Sequence, residues 1–422
     1  MSFISRVFNQ SIDDPFTKIV ERFWGVNVNS GVTVSESSAL KYVTVYSCVR
    51  VLAETIGSLP LFVYQARAGG GADKVHSHPA YHLLHNAPND EMTSQTWRET
   101  IMGHIALSGN GYSRILRDDE RRYGNAGLLG LEPLDWQRVE PFRDRETKRL
   151  MYRITNDDGT METLVPRKIL HIPGLGYDGI MGYSPVSMAR EAIGLGLAST
   201  EFAARFFGQG MNIGGVLEHP GKLSDPAKQN LQKSLDERGS GLANSWRPFV
   251  LEEGMKWSRI PMPLTDAQFL ETRKFTRDEI CGLFRVPPHM IANLERSTNN
   301  NIEHQSLEFV KYTILPWITR WEQTLNWKLF GDNERARGLY VKFNVEGLLR
   351  GDYKSRQEGL GIQRQNGIIN ANEWREMEEM NPIEGVSGDA YLVNGNMIST
   401  ETASKQQPRK NPGGNGGENG NE

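Results

Sequence analysis

Cysteine is almost absent from this chain: Cys48 and Cys281 are the only two in 422 residues. Two thiols cannot build a disulfide framework or close a thiolate metal cage, and such sparing use suits a reducing cytosol. Long apolar runs are missing as well. Nothing approaches the ~18 consecutive apolar residues needed to span a bilayer, so no membrane segment is expected. The opening MSFISRVFNQSIDDPF lacks an apolar h-region and does not read as a secretory signal. There is no one-signed charge excess either. Lys and Arg number 48 against 51 Asp and Glu, a formal net charge of −3. That balance excludes a uniformly basic coat for nucleic acid but permits a local basic stripe.

What is present is enough chain for two or three compact units with a sizeable core. An N-terminal arm, 1–35, mixes apolar and polar residues. A first helix is predicted over Ala39–Ile56, with Val43, Tyr46, Val49, Ala53 and Ile56 on one face and Gly57 as its stop. A strand follows at Leu61–Tyr64, then a helix over Thr93–Leu107. From Tyr112 to Pro173 short strands alternate with turns such as Asp158-Gly159, which predicts a mixed α+β unit with antiparallel pairing. Ser184-Pro185 opens a long helix reaching about Phe207, because Ser caps free N–H groups and Pro tolerates the first helical position. Its buried face is predicted to carry Val186, Ala189, Ile193, Leu197 and Phe202, and its glycines suit close approach of a neighbouring helix.

Residues 210–264 behave as an insert: a strand and turn in GGVLEHPG, a helix over Ser224–Arg238, and a hairpin in RPFVLEEGMKWSRI. A return helix starts at Thr265-Asp266 and ends near Val286-Pro287-Pro288. Another helix, Ile302–Phe330, is expected to kink at Pro316, which removes a backbone donor. Phe309, Tyr312, Trp317, Trp321 and Leu325 form its expected buried face. Leu339–Val345 is a strand, Asp352–Gln365 and Asn372–Glu379 are polar helices, and 405–422 has nothing to bury and is expected to be disordered.

Several motifs suggest chemistry and then fail on detail. Gly174-Leu175-Gly176-Tyr177-Asp178-Gly179 matches GxGxxG. Its helix starts about five residues too late to meet a pyrophosphate, so the expectation is a structural turn. GVLEHPGK (Gly215–Lys222) has one residue too many between its glycines, and Leu223 stands where a phosphate loop needs Ser or Thr. His76, His78, His82 and His85 cluster in HSHPAYHLLH, with Asp90 and Glu91 as remote further ligands. The expectation there is a capped surface helix that buries Leu83 and Leu84. His171, His219 and His289 have no Ser, Cys or acid at triad spacing and are expected to be structural hydrogen-bonders. No catalytic residue, cofactor or metal is assigned. Asn293–Asn301 (NLERSTNNN) is a polar stretch between two helices, either an ordinary exposed loop or one suited to touching a polyanion without gripping it.

Six segments taken in order resemble the portal, or head-to-tail connector, proteins of tailed bacteriophages with long non-contractile tails. They are SALKYVTVYSCVRVLAETIGSLPLFVY; HPAYHLLHNAPND; ILHIPG with GYSPV; FFGQGMNIGGVLE; EICGLFRVPPHMI; and STNNNIEHQSLEFVKYTILPW. The resemblance implies a portal-type α+β fold. It comprises a mixed wing (36–183), stem helices (184–209 and 265–288), a small α/β clip (210–264), a tunnel loop (289–301), a kinked helix and wing strand (302–350) and a helical crown (351–404). It further implies a non-enzymatic homo-oligomeric ring, dodecameric in the family, at one capsid vertex of the virion after assembly in the host cytoplasm. Double-stranded DNA would pass through without sequence specificity. The terminase large subunit, the major capsid protein or scaffold, and a head-tail adaptor would be its partners. On that reading Arg296, Ser297, Thr298, Asn299, Asn300 and Asn301 line the tunnel, with Arg273, Lys274 and Arg277 facing it from the stem. The alternatives are another phage head-morphogenesis or adaptor protein without a channel, and an enzyme acting on DNA.

Overall fold

A computed structural model describes residues 26–118, 127–176, 178–208, 215–219, 221, 224–239, 255–259, 266–291, 305–345, 353–378 and 380–392. Contacts divide the chain into two units, 1–347 and 348–422.

In the first unit, a short hairpin pairs Val26–Asn27 with Thr33–Val34. Helix α1 (Val43–Ser58) leads into strand β1 (Leu61–Ala66), which lies between β2 (Ala72–Lys74) and a strand from far along the chain. Helix α2 (Pro79–His85) precedes helix α3 (Ser94–Ser108). Thr93 starts α3 by accepting a hydrogen bond from Thr96 N, and Gly109 ends it at φ 78°, a left-handed position that favours glycine. Next come β3 (Asn110–Arg117) and β4 (Leu128–Leu134), then the meander β5 (Val139–Arg143), β6 (Leu150–Thr155) and β7 (Met161–Leu164), and finally β8 (Ile169–Pro173). Sheet order is β8-β3-β4 in one sheet and β5-β6-β7 in another, with all pairings antiparallel.

Helix α4 (Arg190–Gly208) and helix α6 (Asp266–Phe284) pack together. Between them in sequence, β9 (Gly215–Glu218) pairs antiparallel with β10 (Lys256–Arg259), and α5 (Asp225–Gly239) lies in the span they close. A π-helical turn at Val310–Ile314 runs into α7 (Leu315–Leu329), and β11 (Leu339–Phe343) returns to pair with β1. The second unit holds α8 (Tyr353–Gln365) and α9 (Ala371–Met377).

The core of the first unit forms where α1, α3 and α7 bury their apolar stripes. Trp97 and Trp321 are fully buried and meet edge to face at 5.5 Å between ring centroids. Such a pair adds about 0.5–1.5 kcal/mol beyond the area it buries. Trp97 Nε1 donates to Ser113 Oγ at 2.9 Å, so its polar end is satisfied inside the core.

Several expectations need correction. Gly57 does not stop the first helix, which runs to Ser58; the Glu99 side chain lies across the glycine where a Cβ would sit. Val43 and Tyr46, expected on its buried face, are exposed, because the buried face carries Val45, Cys48, Val49 and Leu52 instead. The long helix predicted from Ser184 is interrupted at Ala189 (φ −104°, ψ 21°), and Phe202 is exposed rather than buried. Gly194 and Gly196 are needed, but their close neighbours are the Val28 and Tyr42 side chains. Of the stretch RPFVLEEGMKWSRI, expected to form a hairpin, residues 247–254 lie outside the described residues, and Lys256–Arg259 is a strand that pairs with β9. Pro316 sits just after the π turn, where Leu315 N bonds Val310 O over five residues. Tyr312 is exposed while Phe309, Trp321 and Leu325 are buried, because nine residues of helix put Tyr312 about 180° round the axis from Trp321.

Candidate functional site

The expected tunnel residues Arg296, Ser297, Thr298, Asn299, Asn300 and Asn301 lie outside the described residues. The stem candidates are described. Arg273 and Lys274 are exposed on α6, and Arg277 is half-buried with Nε 3.3 Å from Asp278 Oδ1. Helix α6 is anchored on its other side, where Thr276, Ile280, Cys281 and Phe284 are buried. Thr276 Oγ1 donates to Thr272 O at 3.0 Å and so spends its hydroxyl within the helix.

Sequence reasoning picked out the bases of this stretch and missed its acids. From 271 to 279, Glu271, Asp278 and Glu279 match Arg273, Lys274 and Arg277, three charges of each sign. A surface so balanced offers phosphates no net attraction beyond individual side chains. The acids were legible beside the bases: Glu271 and Asp278 lie three and four residues from Lys274, and Asp278 follows Arg277 directly.

The histidines expected to be structural are so. His171 is buried between Tyr152, whose hydroxyl is 3.2 Å from Nδ1, and Asn110, whose Oδ1 is 3.1 Å from Nε2. Burial, with the charge of Lys328 adding to it, drops the His171 pKa to about 3. Burial also raises Tyr152 to about 12 and lowers Lys328 to about 8. Asn110 uses its amide to hold Ser108 O and Gly182 O, which ties β3 to the loop before α4. The hydrogen bonds of Tyr152, His171 and Asn110 join β6, β8 and β3 inside the body. His289 Nδ1 lies 2.8 Å from Gln305 Oε1, and His219 closes its own turn with Gly221.

The four-histidine motif is a helix start. His78 caps α2 by accepting from Ala80 N at 3.1 Å, Pro79 occupies the first turn, and Leu83 and Leu84 are buried. His78 Nε2 reaches Glu334 Oε1 at 3.2 Å and His85 Nδ1 reaches Leu61 O at 3.2 Å. Among the described residues no group of three or more His, Cys, Asp or Glu is placed to hold a metal ion. In the GxGxxG segment, whose Tyr177 lies outside the described residues, the glycines make close backbone contacts. A Cβ at Gly176 would collide with Met181 O, and Gly174 N donates to Gly109 O at 2.7 Å. Among the described residues no helix is long and apolar enough to cross a membrane.

This architecture defines a class: an antiparallel α+β body with two long packed helices that carry an insert closed by paired strands, followed by a helix with a π turn. The chain belongs to the phage portal protein family, whose profile matches residues 43–379. It is 32% identical to the probable portal protein of Streptomyces phage phiC31, over 93% of this chain and 88% of that one. It is 29% identical to the portal protein of Enterobacteria phage HK97, over 90% of this chain and 88% of the relative. The fold is similar to a chain in the neck of a native gene transfer agent particle reconstructed with C12 symmetry. That likeness has TM-score 0.52 and 20% identity, and covers 86% of this chain and 96% of that one.

Proposed function

We propose that copies of this chain close into a ring at one vertex of a phage capsid, and that double-stranded DNA enters and leaves through its centre. The match of residues 43–379 to the portal family carries this reading, and the twelvefold symmetry of the structurally similar neck supports a closed ring. A ring repeats one heterologous interface, and it closes only when each copy is rotated by a fixed angle from the last.

In this reading 36–183 is the wing, α4 and α6 are the stem, 210–264 is the clip, 289–301 is the tunnel loop and 351–404 is the crown. The clip docks the terminase motor and later the head-tail adaptor, while the wing meets capsid protein or scaffold during assembly in the host cytoplasm. The ring is a conduit without a catalytic step of its own. Repetition multiplies any phosphate contact, since each one adds about 0.9 to the salt slope of duplex binding. A charge-balanced stem and an amide-rich loop keep that sum small, so DNA slides.

Deleting 210–264 and joining α4 to α6 by a short Gly-Ser linker separates the roles. The variant is expected to form rings and to lose motor docking in a packaging extract. Packaging at the wild-type rate would remove the clip from this account.

A further inference from the structure

Lys328, near the end of α7, carries an ammonium that meets no carboxylate among the described residues. Its Nζ donates to Pro166 O at 2.7 Å and lies 4.4 Å from the centroid of the Trp327 ring. A carbonyl and a π face hold a cation less strongly than a carboxylate does. Burial accordingly lowers the Lys328 pKa to about 8, and no acid offsets that shift. Trp327 beside it is 65% exposed, a large apolar side chain left in water.

The bond to Pro166 joins this pair to the turn Pro166–Lys168, in which Arg167 is exposed, as is Val165 just before it. Two more guanidiniums adjoin: Arg117 Nη2 donates to Lys328 O at 2.9 Å, and Arg335 Nη1 donates to Trp327 O at 3.4 Å. The acids of these elements are distributed among other partners. Glu162 pairs with Arg114, which also stands opposite Glu132 in the β3–β4 register. Asp332 pairs with Arg335, Asp118 follows Arg117 directly, and Glu334 reaches His78. Arg167, like Lys328, meets no carboxylate among the described residues.

We infer that Trp327, Lys328 and Arg167 form a docking surface for a segment of another protein that presents an apolar side chain beside one or two carboxylates. The carboxylates supply the counter-ions that Lys328 and Arg167 lack, and the apolar side chain covers the Trp327 indole. Tryptophan and arginine are among the side chains that most often carry binding energy at protein contacts. Two uncompensated cations set among acids suit one or two carboxylates. A phosphate backbone would meet the carboxylates of Asp118 and Asp332 as well, and it brings nothing apolar to the indole. The inference goes beyond the ring reading and does not depend on it.

The test measures binding of the full chain to a fluorescein-labelled peptide of Glu-Phe-Glu repeats by fluorescence polarisation. Arg167→Glu and Trp327→Ser are each expected to weaken binding at least fivefold with the melting temperature unchanged, since both side chains are exposed. Replacing the peptide's Phe by Ser should weaken it to a similar degree. A carboxylate that meets Lys328 holds its proton, so affinity should fall as pH rises through about 8. The charged groups around Lys328 are Arg117 on β3, Arg167 and Lys168 in the turn, and Asp332 with Arg335 after α7, while His171 on β8 is neutral. Lys328→Gln should therefore flatten the pH dependence that the wild type shows. Affinity unchanged by both surface variants, or no binding to the wild type at millimolar peptide, would overturn the docking surface. Duplex DNA that displaces the peptide and depends equally on Trp327 would overturn it in favour of a nucleic acid.

Discussion

The thiols of Cys48 on α1 and Cys281 on α6 interact inside the joint that fixes α6 to the body. Both side chains are buried, at 0% and 2% exposure. The contact with Cys281 and burial both push the Cys48 thiol up, which keeps it protonated and unreactive. The same contact with Cys48 holds the Cys281 thiol below its usual value against the opposing effect of burial, so exclusion of solvent is what keeps that thiol out of reach.

Their chemistry follows from that position. The native protein is expected to titrate with no fast thiol toward Ellman's reagent at pH 8, and with two thiols once unfolded in guanidinium. Rapid reaction of either in the native state would contradict the buried joint. Replacing Cys281 by Ser puts a better-solvated hydroxyl into the same space and is expected to cost about 1–3 kcal/mol in urea unfolding.

Arg98 supplies a second internal test. It is 4% exposed, and its guanidinium donates to Gly57 O through Nε and Nη2, and to Leu84 O and Ser94 Oγ through Nη1. One side chain thereby ties the end of α1 to the end of α2 and the start of α3. Arg98→Met strands two buried carbonyls and should destabilise the first unit by about 3 kcal/mol. Arg98→Lys should recover only part of that loss, because an ammonium cannot span the fork. Chemical denaturation of the two variants side by side checks both statements.

Stability should also depend on pH in a stated direction. His171 falls from 6.5 to about 3 on folding and His104 from 6.5 to about 4, each mainly through burial. The unfolded chain binds these protons first as pH drops. Stability is therefore full above pH ~6.5 and declines as pH falls toward those lower values, by up to ~1.4 kcal/mol per pH unit for each histidine. His171→Asn should lower stability at pH 7 and flatten the profile between pH 6.5 and 4. An unchanged slope would mean that His171 is not held neutral.

The polar loop gives a functional prediction. Changing Asn299, Asn300 and Asn301 together to Ala is expected to leave ring formation intact and to alter DNA retention or packaging. Unchanged packaging and retention would remove these amides from the channel reading.

Much of this architecture was legible in the sequence, for identifiable reasons. Thr93, Ser184 and Pro79 mark helix starts because side-chain caps and the proline ring are local chemistry. The strands between 110 and 173 announce themselves through turns such as Asp158-Gly159, where Gly159 takes φ 78°. What escaped depends on distant partners. Tyr46 belongs by composition to an apolar face, and only the placement of α3 shows that its ring is left outside. Gly57 looked like a helix stop because the Glu99 side chain that covers it comes from 42 residues away. Tyr312 was misplaced because five residues separate it from Trp317, a step that breaks the three- and four-residue spacing of the stripe. The stem's charge balance was readable, but a search for phosphate-gripping residues notices Arg273 and Lys274 before Glu271 and Glu279.

The most direct test of the account is negative-stain electron microscopy of the purified full chain across a range of salt concentrations. The account predicts ring-shaped particles with a central hole wide enough for duplex DNA. A protein that stays monomeric at every salt concentration, or whose assemblies have no central opening, would contradict it.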